Sequence, residues 1–224
     1  MRFNRIILFL CLITVVISSF IKIPYLSSPL VKFLMLLCAY LVSKSSAYVW
    51  EKKIQLYQTD IIVDGIQIYK LPYQVFGSHN AMVFKGKKHN IIVEEGVLNN
   101  LSEQQKKAVI YHEIGHIHTV SKETILIINL FAVYFNSLGL YMSLYEKSGE
   151  IYLIIGMSLL FITEKLKKYV EYKADEYAIK NGCDMETLAS VIKTIEEMNG
   201  NKVNVSGHPR LASRIKKQKT KSSD

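Results

Sequence analysis

The sequence predicts a mainly α-helical membrane protein with a small β-sheet and about four transmembrane helices. Three observations carry that reading. Hydrophobic residues make up 50% of the 224 residues and the mean hydropathy is positive, +0.16, which places part of the chain in lipid. The apolar residues are gathered into four runs, at 6–23, 30–49, 124–144 and 151–163. Between the second and third runs the pattern turns to short β-branched segments broken by Gly, which reads as strands.

Residues 6–23 are uncharged except for Lys22 near their end, and 124–144 carry no charge at all, so both have the composition of a span. The first reads as a span rather than a cleaved signal peptide, because its apolar run is long for a signal and no Ala-x-Ala site follows. Within 30–49, Lys32 and Lys44 lie close enough to the ends to snorkel toward water. Residues 151–163 are short, but extension to 166 lets them cross a thin bilayer as the second arm of a hairpin with 124–144. In the polar stretch, Asp64-Gly65 between two Ile/Val segments predicts a tight hairpin, and a second is expected around Gly86, with 81–84 and 91–93 as arms. The chain therefore divides into two N-terminal spans (6–49), a first polar part (50–123), a membrane hairpin (124–166), a second polar part (167–218) and a basic tail (219–224).

Charge sets orientation. Arg2 and Arg5 precede the first span, Lys52 and Lys53 follow the second, and Lys165, Lys167 and Lys168 follow the fourth. By the positive-inside rule these sides face the cytoplasm of a multi-pass cell-membrane protein. The net charge of +9 owes much to Lys202, Arg210, Arg214, Lys216, Lys217, Lys219 and Lys221, a solvated basic segment with some attraction to anionic lipid. No aromatic interleaving accompanies it, so nucleic acid is not an expected partner. Cys11, Cys38 and Cys183 are too few and too scattered for a disulfide framework or a cysteine-based metal site, as suits a reducing compartment.

The chemistry is concentrated in His112-Glu113-Ile114-Gly115-His116. Residues four apart on a helix lie about 40° apart around the axis, so His112 and His116 can share one metal ion. Glu113 flanks that face. Zinc acidifies a water that it holds, and a neighbouring carboxylate can take the proton as the water attacks a peptide carbonyl. Ser102 and Gln105 read as a capping box that starts this helix, with Glu103 in its first turn. His118, about 200° round the helix from His116, is assigned no ligand role.

Catalytic zinc needs a third protein ligand. Lys122 stands where a metzincin would have its third His, which leaves a carboxylate from a later helix. Glu171 and Asp175 share one face of such a helix, with Glu171 suited to the metal and Asp175 to orienting a ligand histidine; Glu164 and Glu176 compete. A ligand beyond the fourth apolar run requires an even number of crossings after His116, which is the hairpin. Residues 80–83 are the candidate edge strand for holding a peptide substrate in extended form.

Taken in order, the two N-terminal spans, Asn80-Ala81, Gly96-Val97-Leu98, the His112 to His116 helix, the membrane hairpin, Glu171 to Asp175, and His208-Pro209 followed by Arg214-Ile215 resemble the HtpX-type membrane zinc metalloproteases, relatives of the CAAX prenyl endopeptidases. The resemblance covers most of residues 55–215. It implies a gluzincin-type zinc metallopeptidase domain with one Zn2+ per chain held by His112, His116 and Glu171, and Glu113 as general base. Asp175 would buttress a zinc histidine, His208 would stabilise the oxyanion and Arg214 would organise that region, while Asn80 and Ala81 would bind substrate. Met82, Lys168 and Gly207 depart from the usual Phe, Arg and Thr of the family, and none of these departures removes a ligand or the base.

The expected function is thus an integral-membrane zinc endopeptidase acting on membrane or membrane-proximal proteins at the cytoplasmic face, with a protein or peptide substrate and the lipid bilayer as partners. The alternative from another class is a signalling or scaffold protein that keeps a protease-like domain for partner binding or one regulatory cut. A transporter-like bundle is disfavoured because the spans lack paired charges.

Overall fold

A computed structural model describes residues 13, 15, 17, 28–76, 78–85, 89–145 and 148–200. Most of the expected first span, the turn at Gly86, the Lys44 side chain, and the C-terminal segment with His208, Arg214 and the basic tail lie outside the described residues. The chain forms two compact units, one drawn from Met1–Trp50 and Lys122–Leu166, the other from Glu51–Ser121 and Lys167–Asp224.

The first unit is helical. It contains most of α1 (Pro29–Ile54), then α5 (Lys122–Tyr145) and the first half of α6 (Glu150–Lys180). Gly139 lies against Leu153 and Asn136 against Gly156, so α5 and α6 pack antiparallel along a seam of small residues that lets the helices approach. Among the described residues one helix, Glu123–Tyr145, is long and apolar enough to cross a membrane, and Pro29–Leu41 is a shorter apolar stretch. Lys32 corrects the sequence reading. It is fully buried rather than snorkelling, with Nζ 3.5 Å from the Ser137 carbonyl and 5.1 Å from the Tyr141 ring centre. A carbonyl and a ring face inside the helical packing take the place of water around the ammonium.

The second unit joins a four-stranded sheet to three helices. Strands β1 (Gln58–Val63) and β2 (Ile66–Leu71) form the hairpin, turning on Asp64 (φ 50°) and Gly65 (φ 75°), the paired positive values of a type I′ turn. After a short helix α2 (Tyr73–Phe76), β3 (Ala81–Lys85) and β4 (His89–Glu94) pair antiparallel, and β4 then lies parallel to β2. Among the described residues the sheet order is β1-β2-β4-β3, which leaves β3 on an edge. Helix α3 (Glu95–Asn100) leads to α4 (Glu103–Ile117), whose capping box is complete: Gln105 N–H donates to Ser102 Oγ at 3.3 Å and Ser102 N–H to Gln105 Oε1 at 3.0 Å. The core is built from Ile68, Ile91 and Val93 of the sheet, Ala108 and Ile114 of α4, Ala178 of α6, and Leu188 and Val191 of α7 (Met185–Met198).

Helix α6 runs unbroken for 31 residues, from the fourth apolar segment through Glu171 and Asp175. The sequence reading divided it into an apolar segment and a separate polar helix. No Gly, Pro or capping residue stands between Thr163 and Lys180 to end it, and a change of polarity alone does not break a helix.

Helix α7 starts at Asp184, whose carboxylate accepts Thr187 N–H at 2.6 Å and Thr187 Oγ1–H at 2.7 Å. These bonds, the backbone one foremost, hold the Asp184 carboxyl below the usual range. A depressed folded pKa means that the cap contributes fully above the unfolded value and is lost as pH falls through the folded one. The gap in thermal midpoint between the parent and Asp184→Ala should therefore be constant near neutrality and close on acidification; a gap independent of pH would show that the cap does not act through its charge.

Candidate metal centre

The site lies within the second unit, where α4 meets the later half of α6. Glu171, Ala174, Asp175 and Ala178 form one buried face of α6, spaced by three and four residues. The two alanines keep that face low. On α4, Gly115 completes the fit: a Cβ at this position would sit 2.6 Å from Ala174 Cα and 3.0 Å from the Ala174 carbonyl oxygen. Only a residue without a side chain lets the backbones pass this closely, and this crossing brings the two acids of α6 to the histidines of α4.

The donor atoms converge there. His112 Nε2 is 3.5 Å from Glu171 Oε2, and His116 Nε2 is 3.6 Å from Glu171 Oε1. These separations are long for hydrogen bonds. They match the edges of a tetrahedron, since ligands about 2.0–2.1 Å from a zinc ion lie about 3.4 Å from one another. His112 Nδ1 is 3.0 Å from Asp175 Oδ1, so Nδ1–H donates to the carboxylate and the Nε2 lone pair is left on the side of Glu171. His112, Glu113 and His116 also present ligand-capable atoms within 4.8 Å of one another. All five side chains are buried. Two imidazoles and three carboxylates gathered away from water suit a divalent cation, and the mixed N/O donor set suits zinc.

Of the competing glutamates, Glu176 pairs with Lys173 at 3.1 Å and Lys180 at 3.4 Å, and Glu164 belongs to the first unit. Lys173 is held above its ordinary pKa by its hydrogen bond to Glu176. His118 caps α4 and stacks on Tyr177, with ring centres 5.1 Å apart, beside a pocket lined also by Gly115, Thr119 and Lys173.

Strand β3 packs against α4. Glu94 N–H donates to the Asn80 carbonyl at 3.0 Å while Ala81 is the register partner of Val93. In an antiparallel ladder this makes Ala81 and Val93 a non-hydrogen-bonded pair, so the N–H and C=O of Ala81, and two residues on those of Val83, point away from β4 to the open edge. The Ala81 N–H is held at 2.9 Å by the Asn80 side-chain oxygen. The sequence reading did not single out His79, Glu94 and Asn199, which bond to one another around the start of β3. The available signal was slight: an acid directly before Gly96-Val97, where a helix begins.

The sequence model of Peptidase family M48 matches residues 52–221. Among solved structures, the crystal structure of Ste24p from S. mikatae is similar, with a TM-score of 0.48 and 20% identity over 77% of this chain and 49% of that one. The chain thus spans about half the length of that relative. No curated protein matches it.

Two substitutions test the geometry by zinc titration of purified protein. Gly115→Ala forces α4 and α6 apart at a cost of about 1–3 kcal/mol of stability, and zinc affinity should fall with it. Asp175→Asn should weaken zinc binding about 10–100-fold, the usual effect of disturbing the partner of a ligand histidine. Unchanged affinity in both variants would detach the crossing from the metal.

Proposed function

The chain belongs to Peptidase family M48, and from that membership we propose that it is an integral-membrane zinc endopeptidase which cuts membrane or membrane-proximal proteins at the cytoplasmic face. The observation that carries the proposal is the approach of the Glu171 carboxylate to Nε2 of both His112 and His116, at 3.5 and 3.6 Å, on the motif helix of a peptidase family.

His112, His116 and Glu171 hold one zinc ion, and Asp175 keeps His112 in the tautomer that can bind it. Bound zinc supplies Lewis acidity toward the scissile carbonyl and lowers the pKa of the attacking water. Glu113 takes the proton of that water and returns it to the leaving amine. Its burial beside the histidines strengthens the electrostatics of the transfer. His208 is assigned to stabilising the oxyanion and Arg214 to ordering the segment around it. The substrate adds as a strand to the open edge of β3, bonding to the outward carbonyl of Ala81 and the outward N–H and C=O of Val83, while the Asn80 side chain keeps the Ala81 N–H.

Four spans carry this domain, in the arrangement that the basic loops indicate. The first unit supports the reading through its surface: Ile151, Ile154, Met157 and Phe161 of α6 are each more than 60% exposed, as is Leu30 of α1. So many bare aliphatic groups on neighbouring turns suit lipid tails and not water. The buried donor set weighs against a scaffold role without catalysis.

Cleavage of casein by the detergent-solubilised protein reads the mechanism. Glu113→Gln should reduce the rate by about 10²–10⁴, the usual worth of a general base, while bound zinc stays at one per chain. Cleavage by the variant at the parental rate would overturn the assignment.

A further inference from the structure

We propose that His79, Glu94 and Asn199 form a clamp that fixes the start of β3 and thereby sets the register in which a peptide is held; they are positioning residues for substrate binding. The inference rests on the reading of β3 as the substrate strand.

An edge strand has a ladder on one side only, so its end tends to fray. The start of β3 is held in two further ways. The first is Asn199, the C-cap residue of α7 and 120 positions away. Its Oδ1 accepts His79 N–H at 3.0 Å and its Nδ2 donates to the His79 carbonyl at 2.8 Å. The carboxamide thus pairs with both backbone groups of one residue, as a neighbouring strand would. Asn199 is itself fixed, because Nδ2 also donates to the Ile195 carbonyl at 2.8 Å.

The second hold is the His79 ring. Nδ1 lies 2.8 Å from Glu94 Oε2, and the Glu94 carboxylate also accepts Gly96 N–H at 2.8 Å and Val97 N–H at 3.1 Å. Glu94 is only 1% exposed, so these partners replace its water. A shorter Asp or Ser would cap α3 equally well. The extra methylene of glutamate brings the carboxylate to His79, and Gly96 leaves room for the pair: a Cβ there would sit 3.0 Å from Glu94 Oε2 and 3.1 Å from His79 Nδ1. Glu94 also supplies the first rung of the ladder itself, since its N–H binds the Asn80 carbonyl. Glu94 therefore grips both the side chain before β3 and the backbone at its first step. The next residue, Ala81, offers the first outward-facing groups of the edge, so a shift at His79 moves the groups that a peptide would meet.

The experiment uses the full-length protein and a quenched-fluorescent peptide built around a cleavage site found in casein. In His79→Ala, Asn199→Ala and Glu94→Asp, which keeps the α3 cap, KM should rise about tenfold, the scale of one or two hydrogen bonds. The turnover number and zinc content should stay within about twofold, as expected when binding of ground state and transition state weaken together. Val83→Pro, which removes an outward N–H from the edge without touching the ladder to β4, serves as the reference for the edge itself. Raised KM in Val83→Pro and in the clamp variants supports the proposal. Raised KM in Val83→Pro alone overturns the clamp and spares the edge. Unchanged KM in Val83→Pro overturns the edge reading and the clamp with it. A loss of turnover or zinc with KM unchanged shows a merely structural role and also overturns the clamp. Should Asn199→Ala fail to fold, Glu94→Asp and His79→Ala decide the matter.

Discussion

The close crossing of α4 and α6 at Gly115 and Ala174 is the constraint on which the rest of the site depends. Donor atoms that are to share one metal ion must meet within a few tenths of an ångström, and the candidate donors here come from two helices whose sequences are separated by an entire helical hairpin. A crossing with no side chain between the backbones has little freedom to slide. It puts Glu171 one turn before the contact and Asp175 one residue after it, so one acid faces both histidines while the other grips the far nitrogen of His112. The glycine of the His-Glu-x-x-His motif thus shapes the candidate metal centre as much as the donor residues do, although it offers no donor atom.

That dependence explains which features were legible in the sequence. The α4 helix, its capping box, the Asp64-Gly65 hairpin and the pairing of Glu171 with Asp175 are local patterns, governed by periods of 3.6 or 2 residues and by turn chemistry. Each is present in the structure. The choice of Glu171 over Glu164 and Glu176 needed more, because all three have the same side chain and similar spacing from charged neighbours. The Ala174 and Ala178 face buries Glu171 beside the histidines and leaves Glu176 to the lysines.

Other features were hidden because they are long-range. The parallel pairing of β2 with β4 depends on a crossover through α2 and β3, and no pair of adjacent residues encodes it. The burial of Lys32 depends on Ser137 and Tyr141, more than a hundred residues away, which supply a carbonyl and a ring face in place of water. Hydropathy assigns a lysine near the end of an apolar run to the interface; only the packing partner reverses that. The Asn199 contact with His79 is of the same kind, since an Asn-Gly pair after a helix reads locally as a C-cap and nothing more.

The continuity of α6 gives the long insertion a physical role. Residues 122–166 separate the two halves of the metal centre, and a flexible segment of that length would add to the entropy of closing the site. Folded as an antiparallel helical hairpin, the insertion keeps little of that freedom. Helix α6 itself is unbroken, a span of about 46 Å at 1.5 Å per residue over 31 residues. A rotation of that helix about its axis would turn Glu171 and Asp175 away from the histidines together, since they share one face. One helix thus carries both the apolar segment and the two acids that face the histidines.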